Sequence, residues 1–301
     1  MMKVLPFNYL SGRDSFRRIR AHTWNLFLTH SHNVPSSPWQ GLDPRPEFST
    51  YELMNYTFTH SLDGIEDLQH WREDVKPNLP WADNHFEERV CGAPINPGVE
   101  WANWPWGTSA DKFRDINGMF NHNYMERYWP KYAGKAAEPT KTADEFVRSH
   151  EQFLEDVGYD LREQGVRRGI RNEYGDLNDL VGQLVKNPLS RQEWFPIFHP
   201  EDVGEVVGGR KPCSLGYQFW VRGGRLHVYY PLRSCDFFHH MQDDIYLTIR
   251  LLLWVLNECR NRDNTAGYWG EMRPGTFTMH CTSLHVFAND MIAMKKEGMK
   301  S

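Results

Sequence analysis

The rhythm of apolar positions changes near Leu177. In the first third, to about Gly107, apolar residues are broken up by Pro, Gly, Asn and Trp, as in "NVPSSPWQGLDPRP" and "NWPWGTSAD". That pattern predicts short helices and long loops. A helix is expected through "STYELMNYTFTHSLDGIEDLQHW", with Ser49 or Thr50 as its N-cap and Glu52 in its first turn. Between Tyr132 and Arg171 the composition turns polar, charged and Ala-rich. There Phe146, His150, Phe153, Leu154 and Val157 recur at the spacing of a solvated amphipathic helix. From Leu177 the periods sharpen. "DLNDLVGQLVKNP" predicts a helix closed by Asn187-Pro188, and "EWFPIFH" a strand. "SLGYQFWVR", Gly223-Gly224 and "RLHVYYPL" alternate like the two arms of a β-hairpin. "DDIYLTIRLLLWVLNECR" sets Ile245, Ile249, Leu252, Leu253 and Leu256 on one helical face, and "GTFTMHCTSLHVF" returns to strand. The expected class is α+β, a mostly antiparallel sheet packed by a long buried helix.

Composition narrows this picture without changing it. The 301 residues hold no internal repeat and 12 Trp, enough for one sizeable core. A single domain over 1–301 is expected, with a helical insertion at 132–171. A net charge of −5 argues against a nucleic-acid or anionic-membrane surface. The most apolar run, "IYLTIRLLLWVL", is too short to span a bilayer and carries Arg250. The start lacks the long apolar segment of a signal peptide. Five widely spaced cysteines with no CxxC suit a reduced cytoplasmic protein better than a disulfide or zinc framework, and no metal site is expected.

Two stretches carry chemistry. In "GRKPCSLGYQF", Cys213 follows Pro212, with Arg210 and Lys211 ahead of it. A lone cysteine in a strand is usually a small buried hydrophobe, but nearby cations favour the thiolate, the nucleophilic form. In "RSCDFFHHMQDDIY", Arg233, Ser234 and Asp236 lie between a strand and a helix. They read either as a loop ion pair or as a phosphate site, since guanidinium matches phosphate oxygens bidentately.

Together, "RKPCSLGYQF", "RSCD" about twenty residues later and "SLHVF" near the C-terminus resemble the thymidylate synthase family, most closely its phage-encoded members, which share the "FHPED…GGRKPC" lead-in. The resemblance covers about Leu177 to Asp290 and is patchier before it, where "YELMNY", "WAD" and "NYMER" look like landmarks. It implies a homodimer joined through a sheet face, in a bacterial or phage-infected bacterial cytoplasm. The implied reaction transfers a one-carbon unit from 5,10-methylenetetrahydrofolate to C5 of a pyrimidine nucleoside monophosphate. Cys213 falls on the nucleophile that adds to C6. Arg233 matches the arginine that touches phosphate and thiolate, Ser234 a phosphate-binding serine, and Asp236 the aspartate that binds the folate pterin and orders water. Arg191 matches the first of two arginines given to the partner protomer's phosphate; the second is Gln192 here. Glu52 matches a glutamate that orders the proton-shuttling water, Tyr124 a tyrosine near C5, Trp81 an indole lining the folate site and His285 a sugar-binding histidine. Phe287 stands where the family has a tyrosine, Leu232 where it has a glutamine, and His239-His240 where it has an apolar-glycine pair. Arg45 is the one candidate for an N-terminal phosphate arginine.

The departure with most chemical content is Asp244, eight residues after Asp236, where thymidylate synthases carry an asparagine that reads the base edge. Uracil presents a donor at N3 and an acceptor at O4, and an amide answers both. Cytosine presents the reverse, and a carboxyl group can accept from its amino group while sharing a proton with N3. An ionised carboxylate facing uracil O4 sets lone pair against lone pair. Aspartate here is also what dCMP hydroxymethylases of the family carry. The expectation is a dCMP 5-hydroxymethylase. Thymidylate synthesis from dUMP, a dCMP or CMP C5-methylating variant, and a catalytically silent nucleotide-binding relative stand as alternatives. Asp243 facing the base, or Asp244 serving only as a helix cap, would remove the cytosine argument.

Overall fold

The computed structural model describes residues 8–10, 15–35, 48–96, 98–100, 104–106, 114, 118–120, 123–132, 175–203, 211–263 and 267–298. Arg45, Arg210 and all of the expected 132–171 insertion but Tyr132 lie outside the described residues.

Among the described residues, seven strands form one mixed sheet: β1 (Asn8–Leu10), β2 (His32–Val34), β3 (Thr50–Ser61), β4 (Trp194–Pro196), β5 (Gly216–Arg222), β6 (Arg225–Asp236) and β7 (Arg273–Phe287). Their order is β1-β3-β7-β6-β5-β4, with β2 also on β3. Four pairings are antiparallel; β1 with β3 and β6 with β7 are parallel. The expected hairpin is β5–β6, turned by Gly223 and Gly224 at φ 57° and 69°. Both turn residues need positive φ, which glycine adopts without a Cβ clash.

The helix expected over residues 49–71 is not there. Residues 50–61 are β3, and helix α2 begins only at Leu68. The cause lies in the burial pattern. Leu53, Tyr56, Phe58 and His60 are buried, so the inward set jumps by three residues across exposed Asn55, whose φ is 54°. Leu53, Tyr56 and His60 thus fall at i, i+3 and i+7, which imitates a helix although the chain is extended. The same parity change crosses the sheet. On β7 the buried residues run Phe277, Met279, Cys281 and then Leu284, Val286; on β6 they run Val228, Tyr230, Leu232 and then Cys235. Asn55, Thr282 and Arg233 mark one kink through three adjacent strands. The first third also holds a 16-residue helix, α1 (Ser15–His30), longer than the short helices expected there.

Helix α6 (Met241–Arg262) is the long buried helix expected from the sequence. It packs on β6 and β7, and α2 (Leu68–Val75), α3 (Trp81–Arg89) and α5 (Leu177–Lys186) close over it. Ile245, Ile249, Leu252 and Leu256 are buried as expected, while Leu253 is half-buried. Each fully buried aliphatic side chain contributes about 1.5–3 kcal/mol, against about 0–1 kcal/mol for an exposed ion pair. Burial of α6 is therefore what holds its first turn against the sheet. Polar contacts then set the lateral position of α3. Asp83 accepts from Arg72 Nη2 at 2.8 Å, Arg250 Nη1 at 2.8 Å and the Tyr246 hydroxyl at 2.6 Å. Among the described residues, no helix is long and apolar enough to cross a membrane.

Candidate active site

Just beyond the kink, three neighbouring strands bring distant residues to one rung. Glu52 on β3 pairs with His285 on β7, which pairs with Asp236 on β6. Ser283 donates to Glu52 Oε2 at 2.7 Å and Thr50 to its Oε1 at 2.8 Å, so the carboxylate is fixed from two sides. Ser234 Oγ lies 3.2 Å from His285 Nδ1. Burial lowers the pKa of His285, although Asp236 and Glu52 pull the other way.

The Asp236 carboxylate is held by its own loop. Its Oδ1 accepts from the backbone N–H of Phe238 at 2.9 Å and of His239 at 3.1 Å, and its Oδ2 lies 2.9 Å from His239 Nδ1. Burial pushes this carboxyl up, but the His239 hydrogen bond and the positions of His240 and His285 outweigh it and leave the pKa lowered. The same hydrogen bond raises the His239 pKa. His239 is thus the partner of Asp236, a pairing that substitution of an apolar residue did not announce in the sequence.

Cys213 is half-buried and sits where the chain enters β5. Its carbonyl accepts from the Arg233 N–H at 2.9 Å, and Ser214 bridges to Leu232. The Arg233 side chain closes on the same segment, Nε donating to the Pro212 carbonyl and Nη2 to the Lys211 carbonyl, both at 2.9 Å. One arginine at the kink therefore clamps the cysteine loop by main chain and side chain. Gly216 completes the entry: a Cβ there would meet the Phe195 carbonyl oxygen at 2.5 Å, so β4 and β5 approach this closely only at glycine. Farther back, Arg127 makes a two-pronged contact with Asp202, at 2.7 Å for each oxygen, and pins the "FHPED" lead-in.

A second group gathers on the α6 side of β6. Asp244, in the first turn of α6, accepts from the Tyr230 hydroxyl at 3.2 Å and from the Cys235 thiol at 3.5 Å. Asp244 is half-buried, and desolvation raises its pKa to about 6. Asp243 is committed elsewhere: it accepts from Asn78 N at 2.8 Å and Asn78 Nδ2 at 2.7 Å, one bond to each oxygen. Tyr124 opens α4 (Tyr124–Tyr128), and its ring lies 4.4 Å from the guanidinium carbon of buried Arg89. The expected site residues thus gather around the end of β6 in two groups, Asp244 with Tyr230 and Cys235 and Ser234 with His285, with the Cys213 loop against the same strand.

Trp81 begins α3 inside an aromatic cluster. Its ring lies 5.4 Å from Trp104 and 5.5 Å from Trp106, and Trp106 lies 4.2 Å from His240. Among the described residues, the buried Trp81 indole N–H has no hydrogen-bond partner. The Arg191 carbonyl accepts from Gln218 Nε2 at 3.1 Å, on the half-exposed face of β5.

The thymidylate synthase family model matches residues 101–300. The chain belongs to the thymidylate synthase family. Among its relatives, a thymidylate synthase of Rhizorhabdus wittichii is 26% identical over 191 residues, 63% of this chain and 55% of that one. A thymidylate synthase of Staphylococcus haemolyticus is 23% identical over 126 residues, 42% and 36% of the two chains. A putative thymidylate synthase of Methanosarcina barkeri is 28% identical over 130 residues, 40% and 51%. The chain thus spans about half, or less, of the length of these curated relatives. A solved thermostable thymidylate synthase A from Bacillus subtilis superposes with a TM-score of 0.57 over 93% of this chain and 82% of that one, at 15% identity, a likeness of fold. The sequence offered no local signal for Tyr230, because it meets Asp244 only through tertiary packing.

Proposed function

We propose that the protein transfers a one-carbon unit from 5,10-methylenetetrahydrofolate to C5 of a pyrimidine nucleoside monophosphate, with dCMP as substrate and 5-hydroxymethyl-dCMP as product. The observation that carries the choice of base is the half-buried Asp244 carboxyl group, held by Tyr230 and Cys235, beside an Asp243 whose oxygens are both taken by Asn78. Tyr124 and Asp244 on one side of β6 supply the base end. Ser234 and His285 supply the phosphate and sugar end, and Cys213 enters between them with Arg233 holding its loop. The Cys213 thiolate adds to C6, and the electron pair of the C5–C6 double bond makes C5 the nucleophile. Asp244 shares a proton with N3, where negative charge develops during the addition. Glu52, fixed by Ser283 and Thr50, stands ready to order a proton-carrying water.

We assign the folate to the cluster of Trp81, Trp104, Trp106 and His240, where Trp104 and Trp106 are half-buried and could offer a flat heterocycle a ring to pack on. When bound it supplies the one-carbon unit. The hydroxymethyl outcome follows the cytosine reading, since cytosine-type base edges go with hydroxymethylases in this family. The test is mass spectrometry of the products from dCMP and dUMP side by side with the folate. Hydroxymethyl-dCMP without dihydrofolate is expected; methylated dUMP as the main product would overturn the proposal.

The same reading makes the protein a homodimer. Gln218, Trp220, His227 and Tyr229 form a half-exposed face opposite the one that α6 covers, and Arg191 is tied to it through Gln218. Pairing of two such faces would send each Arg191 toward the partner's phosphate site. Trp220→Glu is expected to give a monomer by sedimentation and to cut activity at least about tenfold, the scale of one lost charge-assisted contact. A fully active monomer would sink the dimer.

A further inference from the structure

A carboxylate offers about four lone-pair sites. Among the described residues, Asp236 fills three of them: Oδ1 takes the backbone N–H groups of Phe238 and His239, and Oδ2 takes His239 Nδ1. Among these donors, that leaves one site on Oδ2 for a group from outside the loop. Its direction is set by the imidazole, which is held from a second side. Asp290, near the start of α7 (Ala288–Gly298), brings its Oδ2 to 3.6 Å from the same Nδ1. Helix α7 packs on β3 and β7, with Met291 and Met294 buried, so Asp290 is held against the sheet. Ionised carboxylates only accept, so Nδ1 carries the proton and the ring bridges the two. The next residue, His240, has its ring 4.2 Å from that of Trp106, so this loop borders the aromatic cluster assigned to the folate.

We propose that His239 is a positioning residue for the folate: held as a cation between Asp236 and Asp290, it aims the open lone pair of Asp236 Oδ2 at an N–H of the bound heterocycle. The inference rests on reading Asp236 as the carboxylate that meets the folate. The groups facing His239 are Asp236 from β6 and Asp290 from α7. His240 lies beside it with ring centroids 6.3 Å apart, and His285 on β7 faces Asp236. The Asp236 hydrogen bond raises the His239 pKa and Asp290 adds to the rise, against partial burial. The charged bridge is therefore complete below the ordinary histidine value of 6.5 and is lost as the pH rises through the higher folded value. A neutral ring can carry its proton on Nε2 instead, and Asp236 Oδ2 then loses its partner.

The experiment measures kcat and the KM for 5,10-methylenetetrahydrofolate against pH, with the nucleotide that the protein turns over. It compares the wild type with His239→Leu, His239→Asn, Asp290→Asn and Asp236→Asn. His239→Leu should raise this KM about tenfold or more, the scale of one hydrogen bond to a charged group. Its kcat should stay nearly unchanged, as for a contact made equally in the ground and transition states. In the wild type KM should rise as the pH passes the His239 value. His239→Asn, whose amide N–H can stand in for Nδ1–H without a charge, should restore the neutral-pH KM and abolish that rise. Asp290→Asn should move the rise to lower pH. The free protein gives a readout independent of turnover: followed by NMR, the His239 imidazole should titrate above 6.5, and lower in Asp290→Asn than in wild type. Titration of His239 at or below 6.5, or a KM that Asp236→Asn raises but His239→Leu does not, would overturn the inference and leave the folate reading standing. A KM that Asp236→Asn leaves unchanged would instead remove the reading of Asp236, and this inference with it.

Discussion

Cys213→Ala should lose turnover by about 10⁴-fold or more, the scale on which enzymes suffer when an essential nucleophile is deleted. The loss should not come from unfolding. The cysteine loop is held by its main chain, through the Cys213 carbonyl and the Arg233 contacts to Pro212 and Lys211, and none of these needs the thiol. Thermal stability should therefore stay within about 1 kcal/mol of wild type, the usual range for a half-buried truncation outside the main core. The decisive readout is the intact mass of the protein after incubation with 5-fluoro-dCMP and the folate. Wild type should gain a covalent adduct, whereas Cys213→Ala should not. An adduct-free wild type would make the protein a silent nucleotide-binding relative, and undiminished turnover by the variant would remove Cys213 from the chemistry.

Asp244→Asn should reverse the choice of base. An amide donates to O4 and accepts from N3–H of uracil, and it cannot supply the shared proton that cytosine needs. A site built around such a hydrogen bond rejects the wrong partner by about 10⁴-fold, so the ratio of kcat/KM for dCMP over dUMP should fall by about that factor. Stability provides a second, independent readout. The native pKa of Asp244 is raised from 3.8 to about 6, so between these values the folded state binds more protons than the unfolded one. The penalty for holding an ionised carboxylate is thus complete above about pH 6 and relieved as the pH falls toward 3.8. It amounts to about 3 kcal/mol. The asparagine variant should accordingly be the more stable protein at pH 8, with the gap closing near pH 4. Equal melting curves at both pH values would show that folding does not raise the Asp244 pKa.

Most of the C-terminal half was legible along the chain. Gly223-Gly224 with alternating flanks specifies a hairpin, and the apolar period of residues 243–260 specifies α6. Cys213, Arg233, Ser234, Asp236 and Asp244 were legible as a motif, because the hairpin and the following helix hold them at fixed spacings. The segment at residues 50–61 was not legible: the parity change at Asn55 gives a strand the spacing of a helix.

What the sequence alone determined is local: where periods of two and 3.6 run, where turns fall, and which chemical groups are close along the chain. What only the tertiary structure decided is which of those groups face one another. Glu52 reaches His285 through the pairing of β3 with β7, His239 turns back onto Asp236, and Tyr230 meets Asp244 from a separate element. The physical reason is that such neighbours are brought together by burial of α6 and the registers of paired strands. Those depend on the sum of many contacts, and they leave no period in the residues that finally meet.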